Sequence, residues 1–301
     1  MSDLLLIPVC LLAGFLLKYF GIAGKGSNES VNNIIIYITL PALTLLYIPQ
    51  IDIQSEHILP GILVWVVVLI AIVVFNLLEK IFKWDKKTTG TLILTGGLAN
   101  TSFIGFPVLM ALFGEEGLKI GVIIDQAGSF LVLSTLGIIV ASVYSSGKVS
   151  PANIFKDILK YPSFFAFVLS VILLIFQIDY SPEISGLLKK IGSPTMFLAL
   201  ISVGMQIEIS IRRETYRELT LGLLYKLLLA PAIIYLLFLL TYKTEGIVFR
   251  ASIIEASMPP MVMGSILAIK YNLNKKLASM MVGIGILVSA LSISLWYFLV
   301  K

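Results

Sequence analysis

Residues 89–114 read TGTLILTGGLANTSFIGFPVLMALFG, and residues 246–271 read GIVFRASIIEASMPPMVMGSILAIKY. Each stretch is apolar over the roughly 20 residues a helix needs to cross a bilayer core, yet each carries at its centre what such a helix normally excludes. Gly96, Gly97, Asn100, Thr101, Ser102 and Gly105 crowd ahead of Pro107; Glu255 and Ser257 precede the pair Pro259–Pro260. Proline donates no backbone hydrogen bond and clashes with the preceding turn, so a helix breaks there. Inside lipid the stranded amides and carbonyls cost several kcal/mol each, so a break survives only where protein or a water-filled cavity satisfies them. Side chains such as Asn100 and Ser257 are able to do this. A break also starts a new helix. Proline favours the first helical position, so half-helices are expected near Pro107 and near Pro260. Each N-terminus carries about half a positive elementary charge, and two of them meeting at mid-membrane form an anion site.

The rest of the chain agrees with a membrane setting. Of 301 residues, 58% are hydrophobic and 13% charged, with mean hydropathy +1.01. Soluble domains run at about 45–50% apolar and about 25% charged, and a folded surface of this length cannot hide the excess hydrocarbon from water. Disorder is excluded on the same ground, and a disulfide scaffold because Cys10 is the only cysteine. Ten apolar runs appear, at 4–20, 31–49, 59–82, 90–113, 117–144, 162–178, 185–207, 218–241, 246–270 and 277–300. The longest connector, 145–161, leaves no room for a soluble domain, so residues 1–301 form one integral membrane domain. The N-terminus lacks the basic region and cleavage site of a secretory signal and is read as a retained helix.

Net charge is +5. In a soluble protein that would suggest nucleic acid; here it reflects the excess of Lys and Arg in cytoplasmic loops. Fifteen basic residues, among them Lys18, Lys83, Lys148, Arg212 and Lys270, fall on one set of alternate connectors, against five on the other. The predicted topology is multi-pass in the cell (inner) membrane, both termini extracytoplasmic.

Prolines betray an internal repeat. Pro8, Pro41 and Pro107 recur as Pro162, Pro194 and Pro260, each 153–154 residues later. Five spans per copy is odd, so the second copy enters the membrane from the opposite side. The predicted fold is all-α: ten transmembrane helices as two inverted five-helix repeats (1–146 and 160–301), with helices four and nine broken at prolines and crossing at mid-membrane. That architecture belongs with alternating access.

Asp125, Lys226 and Glu255 lie inside apolar runs, each about 12–14 Å deep at 1.5 Å per residue. Arg250 is shallower and snorkels. Intramembrane charges cost at least ~2.5 kcal/mol each and mark function by default. Two carboxylates and one ammonium leave a net −1, which a proton or the substrate would compensate. The structural alternative is a static Asp125–Lys226 pair joining helices five and eight. His57 is the only histidine and no GxxxxGK[ST] loop occurs, which argues against intramembrane zinc or serine–histidine proteases and against ATP hydrolysis. No enzyme, cofactor or metal site is expected.

Residues 31–48 (VNNIIIYITLPALTLLYI), 97–126 (GLANTSFIGFPVLMALFGEEGLKIGVIIDQ), 223–234 (LLYKLLLAPAII) and 256–282 (ASMPPMVMGSILAIKYNLNKKLASMMV) together resemble the auxin efflux carrier family, which includes plant PIN-type auxin exporters and bacterial permeases. The resemblance spans nearly the whole chain. It implies helices four and nine crossing at Pro107 and Pro260, a scaffold of helices one, two, six and seven, and a mobile part of the other six moving like an elevator. It implies small organic anions as cargo, auxin in plants and carboxylates such as malate or malonate in bacterial members. By position, Asn100 or Ser102 would meet a substrate carboxylate, and Asp125, Gln126 and Lys226 would form a polar support region. The candidate substrate set is Asn100, Thr101, Ser102, Pro107, Ser257, Pro259 and Pro260; the coupling set is Asp125, Gln126, Lys226 and Glu255. Unlike plant members, the chain has no long central loop. Glu255 would repel an anion unless protonated or paired, so proton coupling is the expectation to test. Expected partners are membrane lipids, the organic anion and a second copy in a homodimer, with no nucleic acid. Alternatives are a sodium-coupled carrier similar to bile-acid symporters, an anion channel, and a membrane sensor that binds without transporting.

Overall fold

A computed structural model describes residues 2–24, 26–51, 55–145, 162–207, 215–241 and 245–301. The central connector and several basic residues counted for orientation (Lys25, Lys148, Lys156, Lys160, Arg212, Arg213, Lys243) lie outside the described residues. Helices coincide with the apolar runs: α1 (Ser2–Tyr19), α2 (Ser27–Gln50), α3 (Ser55–Phe82), α4a (Lys86–Gly96), α4b (101–113), α5 (115–144), α6 (Pro162–Ile175), α7 (Pro182–Gln206), α8 (Tyr216–Leu240), α9a (Ile247–Ala256), α9b (Val262–Lys270) and α10 (Lys275–Val300). Among the described residues, six helical runs are long and apolar enough to cross a bilayer, one of them (101–144) comprising α4b and α5 together, and α1 and α6 are shorter apolar helices. Leu240, Leu291 and Phe298 are more than 70% exposed, as lipid-facing side chains are and water-facing ones rarely are. The protein is an all-helical, multi-pass membrane protein.

Local chemistry sets the ends. Asp85 caps α4a by accepting from the Thr88 amide at 2.8 Å, Asn274 caps α10 by accepting from Leu277 at 3.1 Å, and Pro182 follows the capping Ser181 at the start of α7. Gly114, at φ 68° and ψ −157°, turns the chain between α4b and α5, a conformation that L side chains rarely adopt.

The position of the break in helix four corrects the sequence expectation. The chain leaves helical geometry at Gly97–Asn100 and the new half-helix starts at Thr101, six residues before Pro107. Pro107 does not break it. The wide turn Thr101–Gly105, with Gly105 N–H reaching back to the Asn100 carbonyl at 3.1 Å, is a π-helical turn that absorbs the missing donor and the ring.

Packing sorts the helices into two groups. In the first, α1 lies on α7 and α6 lies on α2, with α7 also against α2. Gly14 and Gly204 let α1 and α7 touch, since a Cβ on either would run into the carbonyl of Ile201 or Leu11. Buried hydroxyls complete this group: Ser163 donates to Ile36 O at 3.0 Å, Ser170 to Thr44 O at 3.1 Å and Ser202 to Asn32 Oδ1 at 2.5 Å. The second group is α3, α4, α5, α8, α9 and α10. There Tyr225 Oη donates to Val67 O at 2.6 Å, and Ser292 and Trp296 both donate to Leu227 O, at 2.5 and 3.1 Å. Leu227 sits in the π-helical turn Tyr225–Leu229, whose geometry frees a carbonyl for these partners. The turn Thr101–Gly105 of the second group packs against α7 of the first.

Candidate functional site

Between α4a and α4b, and between α9a and α9b, the interrupted segments run antiparallel across each other and pair at Ala99 and Pro260. The Asn100 amide donates to Pro259 O at 2.9 Å, and the Met261 amide donates to Leu98 O at 3.0 Å. Each break thereby supplies the other with one donor and one acceptor, the accounting that buried backbone requires. Pro259 and Pro260 have no N–H, so the donors come from Asn100 on one side and Met261 on the other. The Pro260 ring fits against Gly285 of α10, where a Cβ would lie 2.5 Å from its Cδ. Neither α4b nor α9b has a capping side chain, so their first amides are open and their positive ends face the crossing.

A cavity of about 240 Å³ opens at these two N-termini. Ser102 and Phe103 of α4b, Met261 at the N-cap of α9b, Met263 within it, and Asp125 of α5 line the cavity, with Lys270 and Tyr271 at the far end of α9b. Its opposite wall comes from the first helix group, through Tyr37 and Leu40 of α2 and Ser163 of α6. Drug-sized sites measure roughly 300–1,000 Å³, so this one suits a smaller molecule. A second cavity, of about 400 Å³ and bordered by Lys18, Gln206 and Ser265, lies on the other flank of α9b, and Ile266 touches both.

Behind the crossing lies the charged cluster. Asp125, 2% exposed, accepts from Thr101 Oγ1 at 2.5 Å and from Gln126 Nε2 at 2.8 Å. Lys226, 1% exposed, donates to the Ala256 carbonyl at 2.6 Å. This carbonyl is one of those that the end of α9a leaves open. The Asp125–Lys226 ion pair considered from sequence is therefore replaced: each group is held by its own partner. Glu255 is also buried, and neither of its oxygens has a hydrogen-bond partner among the described residues. The fields of Asp125 and Lys226 both reach it.

The remaining predicted residues are distributed. Asn100 joins the crossing through its backbone, while among the described residues its buried Nδ2 has no partner, nor has Gln126 Oε1. Ser257 turns its hydroxyl to Ile254 O at 2.7 Å, closing the end of α9a. Pro107 lies away from the crossing, on a separate cavity of about 270 Å³ beside Glu115 and Lys189, which form an exposed ion pair. Sequence reasoning passed over Ala99, Leu98 and Met261, whose part in the crossing is played by the backbone. From sequence, Lys270 counts only as one of the basic residues that set the orientation and not as a site residue.

With this geometry in place, the comparisons with known proteins are informative. The sequence profile described as membrane transport protein matches residues 1–297. The chain belongs to that family. These membrane transport proteins are the family its crossing motifs resemble, that of the auxin efflux carriers. An uncharacterized transporter of Methanocaldococcus jannaschii is 30% identical over 304 residues, covering 98% of this chain and 97% of the relative. An uncharacterized transporter of Methanothermobacter thermautotrophicus is 26% identical over 300 residues, covering 98% and 96%. As a membrane transport protein, the chain belongs to a family defined by moving solutes rather than by catalysis.

Proposed function

We propose that this protein is a secondary carrier of small organic anions in the cell membrane, working by elevator-type alternating access and coupled to protons. One observation carries the reading: two uncapped helix N-termini converge on a 240 Å³ cavity between the two helix groups. Open amides and helix dipoles bind anions without an arginine. The carboxylate would sit at the Ser102 and Met261 ends, with Lys270 favouring its approach.

The ten-span inverted repeat is supported by which helices pack on which. α1 lies on α7 as α6 lies on α2; α3 lies on α5 as α8 lies on α10; α4a meets α10 as α9a meets α5. Each pair becomes the other on adding five. In the proposed movement, α1, α2, α6 and α7 stay fixed. Buried hydrogen bonds knit each group internally, whereas the Lys189–Glu115 pair across the boundary is exposed, a contact worth about 0–1 kcal/mol. Space on both flanks of α9b leaves it room to shift. Both termini outward follows from the basic connectors, and the cavity mouth near Lys270 then faces the cytoplasm.

The test is counterflow of labelled malonate, and then of a panel of mono- and dicarboxylates, in proteoliposomes. A carrier accumulates label against unlabelled substrate inside. Non-saturating conductance would make it a channel, and stabilisation by ligand in a melting assay without exchange would make it a sensor. Uptake that follows a sodium gradient would favour the symporter alternative.

A further inference from the structure

On the carrier reading above, a coupling ion needs a seat in the buried charged cluster. Glu255 is 1% exposed, and among the described residues no donor reaches either of its oxygens. Its carboxylate is wedged against backbone: a Cβ on Gly105 would collide with it, and one on Gly121 would lie 3.1 Å from Oε1. Two glycines thus make a slot for a charged group that then receives no hydrogen bond, an arrangement that is costly unless something else occupies the free side.

That side holds a small cavity of about 20 Å³, with Glu255, Lys226, Ser252 and Thr101 as its polar wall. One water needs roughly 10–15 Å³ and two to four polar partners. Ser252 already donates to Val248 O at 2.6 Å and Thr101 to Asp125 at 2.5 Å. Lys226 spends one of its three protons on Ala256 O, so two protons and the whole Glu255 carboxylate remain for an occupant. Of the helices packed on α9a, α5 brings Asp125 and α8 brings Lys226 into electrostatic reach of Glu255; α3, α4b and α10 bring no charged group into that reach. Asp125 has both oxygens engaged and does not line the cavity.

We propose that Glu255 is the seat of the coupling proton, loaded through a single water held between its carboxylate and the Lys226 ammonium. The step is simple in its balance. A proton from bulk water adds to one Glu255 oxygen, the carboxylate becomes a carboxylic acid, and Lys226 keeps its three protons. The cluster then passes from a net −1 to neutral, which removes the repulsion that an anion at the crossing would meet. A metal cation is the wrong occupant: an ammonium in the wall repels it, and a one-water cavity with one free carboxylate gives it too few oxygens.

The deciding measurement is infrared difference spectroscopy of the full-length protein in proteoliposomes, taken through a pH titration with no substrate present. The expected result is a carboxylic-acid C=O band that appears on acidification, shifts in D2O, is lost in Glu255→Gln, and is kept in Asp125→Asn. Glu255→Asp, which retains a carboxyl, restores a titrating band and shows that its loss in Glu255→Gln is not misfolding. A band unchanged in Glu255→Gln, or lost only in Asp125→Asn, overturns the proposal, as does a band that responds to sodium at constant pH. Counterflow across the malonate and mono- and dicarboxylate panel separates the two readings: its failure for every member in the wild type removes the carrier and leaves the titration standing, while an absent band leaves the carrier without this proton site.

Discussion

The two interruptions are alike in geometry and opposite in construction. Break nine, at residues 257–261, contains two prolines, so its backbone has few donors to strand, and an ammonium from another helix, Lys226, serves the carbonyl at its edge. Break four, at residues 97–100, contains no proline at all. It opens where glycines permit close approach and where a partner segment some 160 residues away offers the matching donor and acceptor. One break is written into its own residues; the other is imposed from outside. A proline guarantees an interruption, but a tertiary partner is sufficient to create one.

That contrast can be tested by substitution, beginning with the largest effect. Lys226→Met withdraws the donor from break nine and leaves Glu255 without its neighbouring cation; removing one member of a buried charged cluster costs about 3–5 kcal/mol. The expected outcome is a large fall in apparent melting temperature of the purified protein and loss of counterflow, and a wild-type melting curve would break the contrast. Asn100→Pro removes the amide that break four donates and strands the Pro259 carbonyl, for about 1–3 kcal/mol. Asn100→Ala keeps that amide, so it should melt closer to wild type.

Glycine substitutions sharpen the comparison further. Gly285→Ala puts a Cβ 2.5 Å from the ring of Pro260, which cannot yield, whereas Gly96→Ala meets the rim of Phe75 at 2.9 Å. Overpacking of the first kind costs about 1–3 kcal/mol; in the second the contact is 0.4 Å longer and falls on the far edge of a side chain, and alanine returns up to about 1 kcal/mol of helix propensity. Melting curves should therefore rank Gly285→Ala well below Gly96→Ala. The smallest effect is expected for Pro107→Ala, within about 1 kcal/mol, because Pro107 sits inside a continuing half-helix. A large loss there would restore it as the breaking residue.

The helices were legible because hydropathy alone decides where a bilayer segment runs, and their edges shifted by only a few residues. Break nine was legible because Pro259 and Pro260 are unambiguous. Break four was read six residues late: Pro107 is a strong local signal, and the pairing of Leu98 and Asn100 with Met261 and Pro259 has no local signal at all. The same reason hid the partner of Lys226. Sequence displays carboxylates as candidates for an ammonium, but a carbonyl at a helix end has no letter, and Ala256 looks inert until α9a is known to stop there. The resemblance to the auxin efflux carriers identified the family, while the cavity at Ser102 and Met261 required the fold.

The Ala99–Pro260 bridge also bears on how the protein is made. When α4a and α4b enter the membrane, the chain that completes their backbone has not been synthesised; residue 261 emerges far later. Until then nothing imposes break four, and the Leu98 carbonyl and Asn100 amide are without the partners that the finished fold gives them. Biogenesis thus contains an enforced waiting period, during which the nascent first half is the form most exposed to quality-control proteases. Severed from its second half, it should be cleared rapidly, and supplying that half as a separate polypeptide should rescue it.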